Sequence, residues 1–474
     1  MFQDPLCHFQ WFNSMMYLSL KNKLRKYELA KYSYSKITQL KRYKIRKSKD
    51  KYKSRKNRVL KYEKIIINAT NKFPNYTREK IVRKVLNNIK KIKNSDILYN
   101  NLWWFSFIDI MISTKSNKSV MLNNFLLITK NNNSISNLRC SVALEMYYLC
   151  LQFGLYESAL VFYDQACDAA IKEVSEDPQN IYYQLRGLVV HFIRANKKYL
   201  TTCLEKISII NSSDKRIEPL IYFLGHTCGF SSHNIKESFN RSELLDENYL
   251  SLVKGSSVAV VSRAAYNTER GGEIDDFDLV VRTNYRGADL IPRSKFEGKR
   301  IDISYYNGDI STKILDEDKG KLPHNLKAAV FKLPLDHLYD GSICKRSMTL
   351  FMHLLTFESS TMSLPNIISD LLMYEPSRIK IFSADSMLSR KRPTHYAQNP
   401  LNKVSAESPN YPRTHDIISD YLIISKLLSN GLIEGDPHFT RAIDLGKKTY
   451  MSELQSVWID TALSSKNFSN LISG

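Results

Sequence analysis

Polar side chains that suit a phosphorylated ligand gather around two short apolar runs, 257–261 and 278–281. They are Arg263, Arg270, the glycine pair 271–272, Arg282 and Asn284. If the runs are neighbouring strands of a parallel sheet, these residues approach one edge of it. Guanidinium groups and loop N–H groups bind oxyanions, and an asparagine amide can read a base or a ribose. The pattern is compatible with a nucleotide site and, alternatively, with an ordinary strand–helix–strand unit that contains salt-bridged arginines.

The elements that must position these residues become recognisable near residue 250, where the composition changes. Short runs rich in β-branched residues predict strands at Ser257–Val261, Asp278–Val281, Ile301–Tyr305, Ala328–Phe331 and Ile379–Phe382. Helical patterns lie between some of them, at Leu364–Tyr374 and Ile417–Leu428. Strands that alternate with helices predict an α/β domain with a mainly parallel sheet, which binds ligands at the carboxyl ends of its strands.

The segment around the glycine pair resembles the large sialylmotif of the sialyltransferases that use CMP-sialic acid (glycosyltransferase family twenty-nine). The positions that match in order are Gly271, Ile274, Asp275, Asp278, Val280, Arg282 and Asn284. The resemblance covers roughly residues 250–440 and implies a Rossmann-like fold. The sequence departs from the family at 262–265, Ser-Arg-Ala-Ala, where the family has Gly-Asn-Ser-Gly. The cysteine that opens the motif in animal members is also replaced, by Ser257 or Val258.

Three later segments follow in the family's order. Leu364–Asp385 looks like the small sialylmotif, and Ser363 or Thr361 loosely echoes its start. Thr394-His395-Tyr396 stands where the family has a short His-Tyr motif. His415, followed five residues later by Asp420, resembles the last motif, with Asp in place of Glu.

The resemblance implies roles for these residues. His415 is expected to deprotonate the acceptor hydroxyl, a task that suits histidine near neutral pH, while Asp420 fixes its orientation. His395 and Tyr396 are expected to stabilise the phosphate or CMP, and Asn284 to contact the nucleotide. The remaining donor-binding candidates are Arg263, Gly271, Arg282 and Ser363. No metal or other cofactor is expected, since CMP leaves with one phosphate. The donor is a CMP-activated ulosonic acid, sialic acid or Kdo, and the acceptor is a glycan or glycolipid.

Most of the positive charge lies outside this region. The chain has 474 residues and a formal net charge of +22, and residues 21–64 hold 19 Lys and Arg against three acids, a net of +16. Such a basic arm is typical of a solvated helix, of attachment to an anionic membrane surface, or of nucleic-acid binding. Nucleic acid is the least favoured partner, because no recognised nucleic-acid module accompanies the arm.

The sequence predicts three parts: a basic helical arm at 1–64, a helical region at 65–247 with one unit similar to a tetratricopeptide repeat, and an α/β catalytic domain at 248–474. The seven cysteines form no CxxC pair and are expected to be reduced. The favoured function is a cytoplasmic glycosyltransferase of bacterial surface polysaccharide, peripheral at the inner membrane face. The alternatives are a transferase with another nucleotide donor, and a helical interaction protein whose arm binds membrane or nucleic acid.

Overall fold

A seven-stranded, all-parallel sheet forms the centre of the C-terminal half. The computed structural model describes residues 138–152, 155–210, 214–228, 245–264, 266–287, 290–357, 359–389 and 415–463. The strands are β1 (Ser257–Val261), β2 (Leu279–Thr283), β3 (Ile303–Tyr306), β4 (Ala328–Phe331), β5 (Cys344–Ser347), β6 (Arg378–Phe382) and β7 (Glu434–Gly435). Their order across the sheet is β5-β4-β3-β2-β1-β6-β7. The predicted Rossmann-like α/β fold is therefore confirmed for this half of the chain.

The central strands are buried along their whole length, as expected for a parallel sheet covered on both faces. In β1, Val258, Ala259, Val260 and Val261 are all at most 1% exposed. Val260 pairs with a residue of β2 on one side and of β6 on the other. From β1 the chain forms β2, β3, β4 and β5 on one side of β1 and then places β6 and β7 on the other side. The strand order therefore reverses between β1 and β6. Ligands of open α/β sheets bind at such a reversal, beyond the carboxyl ends of the strands.

Helices account for most of the remaining described residues. Those before the sheet are α1 (Cys140–Gln152), α2 (Tyr156–Glu176), α3 (Ile181–Ile193), α4 (Lys197–Ile210), α5 (Ile217–Cys228) and α6 (Glu247–Val253). Those within the α/β region are α7 (Gly271–Asp275), α8 (Ser294–Glu297), α9 (Gly308–Glu317), α10 (Ser363–Met373), α11 (Ile417–Ser429), α12 (Pro437–Asp444) and α13 (Gly446–Leu463). Three short 3-10 helices occupy Ile291–Arg293, Asp336–Leu338 and Phe351–Leu355.

The described residues belong to two compact units. The larger contains residues 177–389 and 415–450 as far as they are described, and thus the whole sheet and helices α3 to α6. The smaller contains described residues between 138 and 176 together with 451–463. In the smaller unit, the buried Glu173 accepts a hydrogen bond from the N–H of Cys140, at 3.0 Å. This bond joins the end of α2 to the start of α1. The boundaries predicted from sequence at 64 and 247 stay predictions.

The helical segment Val142–Ala170 forms two helices, α1 and α2, as its apolar spacing predicts. The larger part of the predicted region 65–247 that precedes residue 138, and the basic arm at 1–64, lie outside the described residues. No helix within the described ranges is long and apolar enough to cross a membrane.

Candidate active site at the carboxyl edge of the sheet

Two asparagines join the ends of β2 and β3. Asn284 follows β2 with a φ of +57°, a left-handed conformation that asparagine tolerates better than most residues. Its N–H donates to the carbonyl of Tyr305 at 2.8 Å. Its Oδ1 accepts a hydrogen bond from the N–H of Asn307 at 2.9 Å, and Asn307 in turn caps α9 through the N–H of Ile310. Asn284 is thus held in place by the end of the neighbouring strand β3, as a residue that contacts a ligand has to be.

The strand reversal carries further polar groups. Arg263 follows β1, and its Nη2 donates to the carbonyl of Thr283 at 3.3 Å, which ties the end of β1 to the end of β2. Beyond β6, Ser383 has a φ of +53°. Its N–H donates to the buried Asp436 Oδ2 at 2.8 Å. The structure therefore brings Arg263 and Asn284 to neighbouring strand ends, as predicted.

The guanidinium group of Arg282 is committed to the protein backbone. Arg282 is fully buried. Its Nε donates to the carbonyl of Arg300 at 3.0 Å, and its Nη2 donates to the carbonyls of Glu297 and Gly298. These carbonyls lie in the segment that precedes β3, so Arg282 holds that segment. The expectation that Arg282 binds the donor has no geometric support, because its guanidinium group donates to backbone carbonyls. A charged residue in a sequence motif does not reveal which partner its side chain contacts.

The glycine pair begins a short helix. Gly271 begins α7. A Cβ on Gly271 would lie 1.7 Å from the carbonyl oxygen of Ser294 in α8, whereas a Cβ on Gly272 would meet nothing within 4 Å. Asp275, at the end of α7, accepts hydrogen bonds from the N–H groups of residues 299–300. The role of Gly271 in this structure is therefore the close packing of two short helices.

The small and last motifs meet at the start of α10. Ser360 and His415, 55 residues apart, form an isolated parallel β-bridge. The Nδ1 atom of His415 lies 3.2 Å from the carbonyl oxygen of Ser360 and 3.3 Å from its Oγ. Ser363 is the first residue of α10. The last motif thus contacts Ser360, the residue directly before Thr361.

Two buried aspartates fix the start of α11 against this turn. Asp416 caps α11 through the N–H and hydroxyl groups of Ser419, at 3.1 and 2.7 Å. Asp420 Oδ2 accepts the N–H of Met362 at 2.9 Å. The contacts thus connect Asp420 with Met362 and His415 with Ser360. The orientation of His415 by Asp420 stays a prediction.

Lys332 and His353 belong to the same cluster, although the sequence analysis did not identify them. Lys332 directly follows β4, and its N–H donates to the carbonyl of Tyr306 at the end of β3. Burial lowers the pKa of its ammonium group to about 8, and the carboxylate of Asp420 acts in the opposite direction. His353 lies in a 3-10 helix, and burial, followed by Lys332, lowers its pKa well below the usual range. Lys332 and Asn307 share one signal in the sequence: each is a polar residue directly after a buried strand.

His415 is neutral at physiological pH in this environment. Burial lowers its pKa to about 3, the positive charge of Lys332 acts in the same direction, and hydrogen bonds to the backbone of Ser360 and Thr361 act against it. The imidazole is therefore unprotonated and able to receive a proton, but it is a weaker base than an exposed histidine.

The lowered pKa of His415 predicts a pH-dependent stability. Between pH 6.5 and about 3 the unfolded chain binds a proton at this residue and the folded chain does not. The free energy of unfolding therefore falls with falling pH, by about 1.4 kcal/mol per pH unit for this group. In His415→Gln, the free energy of unfolding should therefore depend less steeply on pH. Part of the pH dependence should remain, because the pKa of His353 is also lowered. Denaturant titrations from pH 4.5 to 7 measure the slope.

The control for this prediction is His324→Gln, which removes an imidazole from an exposed position. The raised pKa of Asp420 contributes to the slope with the opposite sign in both the variant and the parent protein. The difference between the two slopes therefore reports the contribution of His415. An equal slope in His415→Gln and in the parent protein would contradict the buried, neutral state of His415.

A cavity of about 490 Å³ lies beside the loop that follows β2. Arg286 lines it and is paired with Asp318 at 2.8 Å and Glu317 at 2.9 Å. His324 and Asn325 also line it. Apolar residues such as Ile314 and Leu322 also line the cavity, and its Arg286 already has two carboxylate partners within the protein.

The remaining predicted residues, His395 and Tyr396, lie outside the described residues. Within the described ranges, no group of three or more His, Cys, Asp or Glu side chains is placed to hold a metal ion. No protein-family model, curated protein or solved structure matches the chain.

Proposed function

We propose that the protein is a glycosyltransferase that transfers a CMP-activated ulosonic acid, sialic acid or Kdo, to a hydroxyl group of a glycan or glycolipid acceptor. The contact between Ser360 and His415 carries the proposal. It joins His415, the first residue of one segment that resembles a family motif, to Ser360, which directly precedes the start of the other such segment at Thr361. It also lies in the same polar cluster as Lys332, at the carboxyl edge of a parallel sheet, where such folds bind ligands.

The reaction needs three functions from the protein. The nucleotide needs polar contacts, and Asn284 and Arg263 lie at neighbouring strand ends to provide them. The departing phosphate needs positive charge or hydrogen-bond donors, and His395 and Tyr396 are the candidates for that role. The acceptor hydroxyl needs a proton acceptor, and His415 and Asp420 are the candidates in the segment 415–420, where the oxygens of Asp416 accept from Phe357 and Ser419.

The setting of this reaction is also part of the proposal. A cytoplasmic enzyme that extends a surface polysaccharide would work near the inner membrane face, and the +16 arm at 21–64 would be attracted to anionic lipids there. No metal is required in this scheme, because the leaving group carries a single phosphate.

CMP binding tests the nucleotide site. CMP should raise the melting temperature of the parent protein, and Asn284→Asp should abolish that shift. Aspartate tolerates the φ of +57° and keeps an acceptor for the N–H of Asn307, but it places a negative charge next to the phosphate. A thermal-shift titration with CMP, with UMP and AMP as competitors, measures the effect.

The matched control is Asp309→Asn, an exposed carboxyl-to-amide change in the first turn of α9, which should keep the CMP shift. A donor screen then tests the reaction itself by measuring CMP release from CMP-sialic acid and CMP-Kdo. Absence of a CMP shift in the parent protein, or release of CMP from neither donor, would refute the proposed function.

A further inference from the structure

An unusual pair of groups lies next to His415. Asp420 is only 4% exposed, and its Oδ1 atom has no hydrogen-bond partner among the described residues. Its other oxygen is used, because Oδ2 accepts the N–H of Met362. Burying a carboxylate oxygen without a donor costs on the order of 1–3 kcal/mol, and more for a charged group. A protein keeps such an unfavourable buried group when the group binds a ligand and does not stabilise the fold.

The neighbouring ammonium group of Lys332 also lacks a hydrogen-bond partner among the described residues. The ammonium group of Lys332 interacts electrostatically with Asp420, His353 and His415. Within the part of the chain that the structure describes, it has neither a hydrogen bond nor an ion pair. An ammonium group carries three donors and no acceptor, and an ionised carboxylate has only acceptors. The two side chains thus interact electrostatically, and no hydrogen bond or ion pair between them occurs among the described residues.

A third unused group lies in the same turn. Thr361 is fully buried, and its Oγ1 has no hydrogen-bond partner among the described residues. Thr361 directly precedes Met362, whose N–H holds Asp420. Around the start of α10, the hydroxyl of Thr361 and one carboxylate oxygen of Asp420 thus have no hydrogen-bond partner among the described residues, and the ammonium group of Lys332 interacts electrostatically with Asp420.

We propose that Lys332 and Asp420 form the subsite for the acceptor hydroxyl, and that Asp420 Oδ1 receives the proton of that hydroxyl. Only a group that is both donor and acceptor satisfies the two side chains at once. A hydroxyl group accepts from the ammonium of Lys332 and donates to Asp420 Oδ1. An anion would satisfy the lysine alone and would face the carboxylate.

This inference rests on the proposed function and gives the proton acceptor a specific identity. As the hydroxyl oxygen forms its bond to the anomeric carbon, its proton passes to Asp420 Oδ1. The bond between that carbon and the phosphate oxygen breaks, and CMP leaves with the electron pair. The Lys332 ammonium donates to the hydroxyl oxygen and so orients its O–H toward Asp420 Oδ1.

The surroundings agree with this assignment. Burial, followed by the nearby Asp416, raises the pKa of Asp420 well above its usual range, which makes it a stronger base than an exposed carboxylate. His415 has a lowered pKa and is hydrogen-bonded to the backbone of Ser360 and Thr361. His415 then acts as a positioning residue that fixes the turn carrying Thr361 and Met362.

Two variants of the full chain test the subsite, Asp420→Asn and Lys332→Met. Asparagine can still accept the N–H of Met362 but cannot receive a proton, and methionine keeps the length of the lysine without its donors. CMP release from CMP-sialic acid and CMP-Kdo, with lactose as the acceptor probe, should fall by about 100-fold or more in Asp420→Asn. The CMP-induced thermal shift should persist, because the nucleotide contacts lie at Asn284 and Arg263.

The melting temperatures provide a readout that does not depend on activity. A subsite kept for a ligand predicts that both variants melt at the parent temperature or above it. Asp420→Asn removes a buried charge and keeps an acceptor for the N–H of Met362, and Lys332→Met removes an ammonium group that has no hydrogen bond or ion pair among the described residues. A merely structural ion pair predicts that each variant melts several degrees lower. A lower melting temperature in both variants would overturn the subsite, as would Asp420→Asn retaining more than a tenth of the transfer. If the parent protein releases no CMP from either donor, the proposed function fails and the melting temperatures still decide the subsite.

Discussion

Asp370→Asn should lower the free energy of unfolding by about 3–5 kcal/mol, the usual cost of leaving one member of a buried ion pair without its partner. Asp370 in α10 is 4% exposed and binds Arg346 of β5 through both oxygens, at 2.7 and 3.0 Å. Tyr305 donates its hydroxyl to the same carboxylate at 2.7 Å, and the Tyr249 hydroxyl lies 2.7 Å from that of Tyr305. Loss of the negative charge leaves the guanidinium group uncompensated in the interior.

The environment of Arg346 adds to the expected effect. Its guanidinium group lies 4.7 Å from the centre of the Tyr249 ring and 4.8 Å from that of Tyr374, so aromatic rings enclose it. The network connects strands β3 and β5 with helices α6 and α10. Urea denaturation of the parent protein and of Asp370→Asn measures the difference in the free energy of unfolding.

The matched control is Arg378→Ala. Arg378 also forms a two-bond pair, with Glu434, but the side chains are 46% and 49% exposed. An exposed pair contributes about 0–1 kcal/mol. Equal losses in Asp370→Asn and Arg378→Ala would show that burial does not determine the contribution of these pairs. The double variant Arg346→Met/Asp370→Leu should recover part of the loss, because it removes both charges together.

The sequence predicts most of the sheet, because most of its strands contain a run of apolar or β-branched residues. The predicted strands at 257–261 and 328–331 agree with β1 and β4 in both bounds, and the other three are correct within two residues. The strand β5 was missed, since Lys345 and Arg346 give it a polar appearance. Arg346 meets its partner Asp370 in a distant helix, and a sequence pattern does not show such pairs. The two-residue β7 is too short to give a signal.

The candidate site was predicted less completely than the fold. Asn284 and Arg263 lie at strand ends as expected, because the end of a strand is visible in the sequence. Arg282 was assigned to a ligand, and the structure directs it to backbone carbonyls. Lys332 was missed because a lone lysine after a strand resembles an ordinary surface residue. Its proximity to Asp420 depends on how α11 packs, and neither residue carries that information alone.

Gly271→Ala should destabilise the protein by at least 1–3 kcal/mol, the usual range for overpacking. The added Cβ would lie 1.7 Å from the carbonyl oxygen of Ser294 and 2.9 Å from its carbonyl carbon. Both are backbone atoms that no rotamer change can move, so α7 and α8 must separate. The end of α8 carries the Glu297 carbonyl that accepts from Arg282, and separation of the helices weakens that bond too.

Gly272→Ala is the matched control, since it is the same substitution one position further along the same helix. A Cβ there meets nothing within 4 Å, and alanine is a better helix former than glycine by up to about 1 kcal/mol. Gly272→Ala should therefore leave the free energy of unfolding unchanged or raise it. The pair of variants also separates two roles for the glycine motif. A packing role predicts a loss of stability in Gly271→Ala, whereas direct contact with the donor predicts an unchanged stability and a weakened CMP shift.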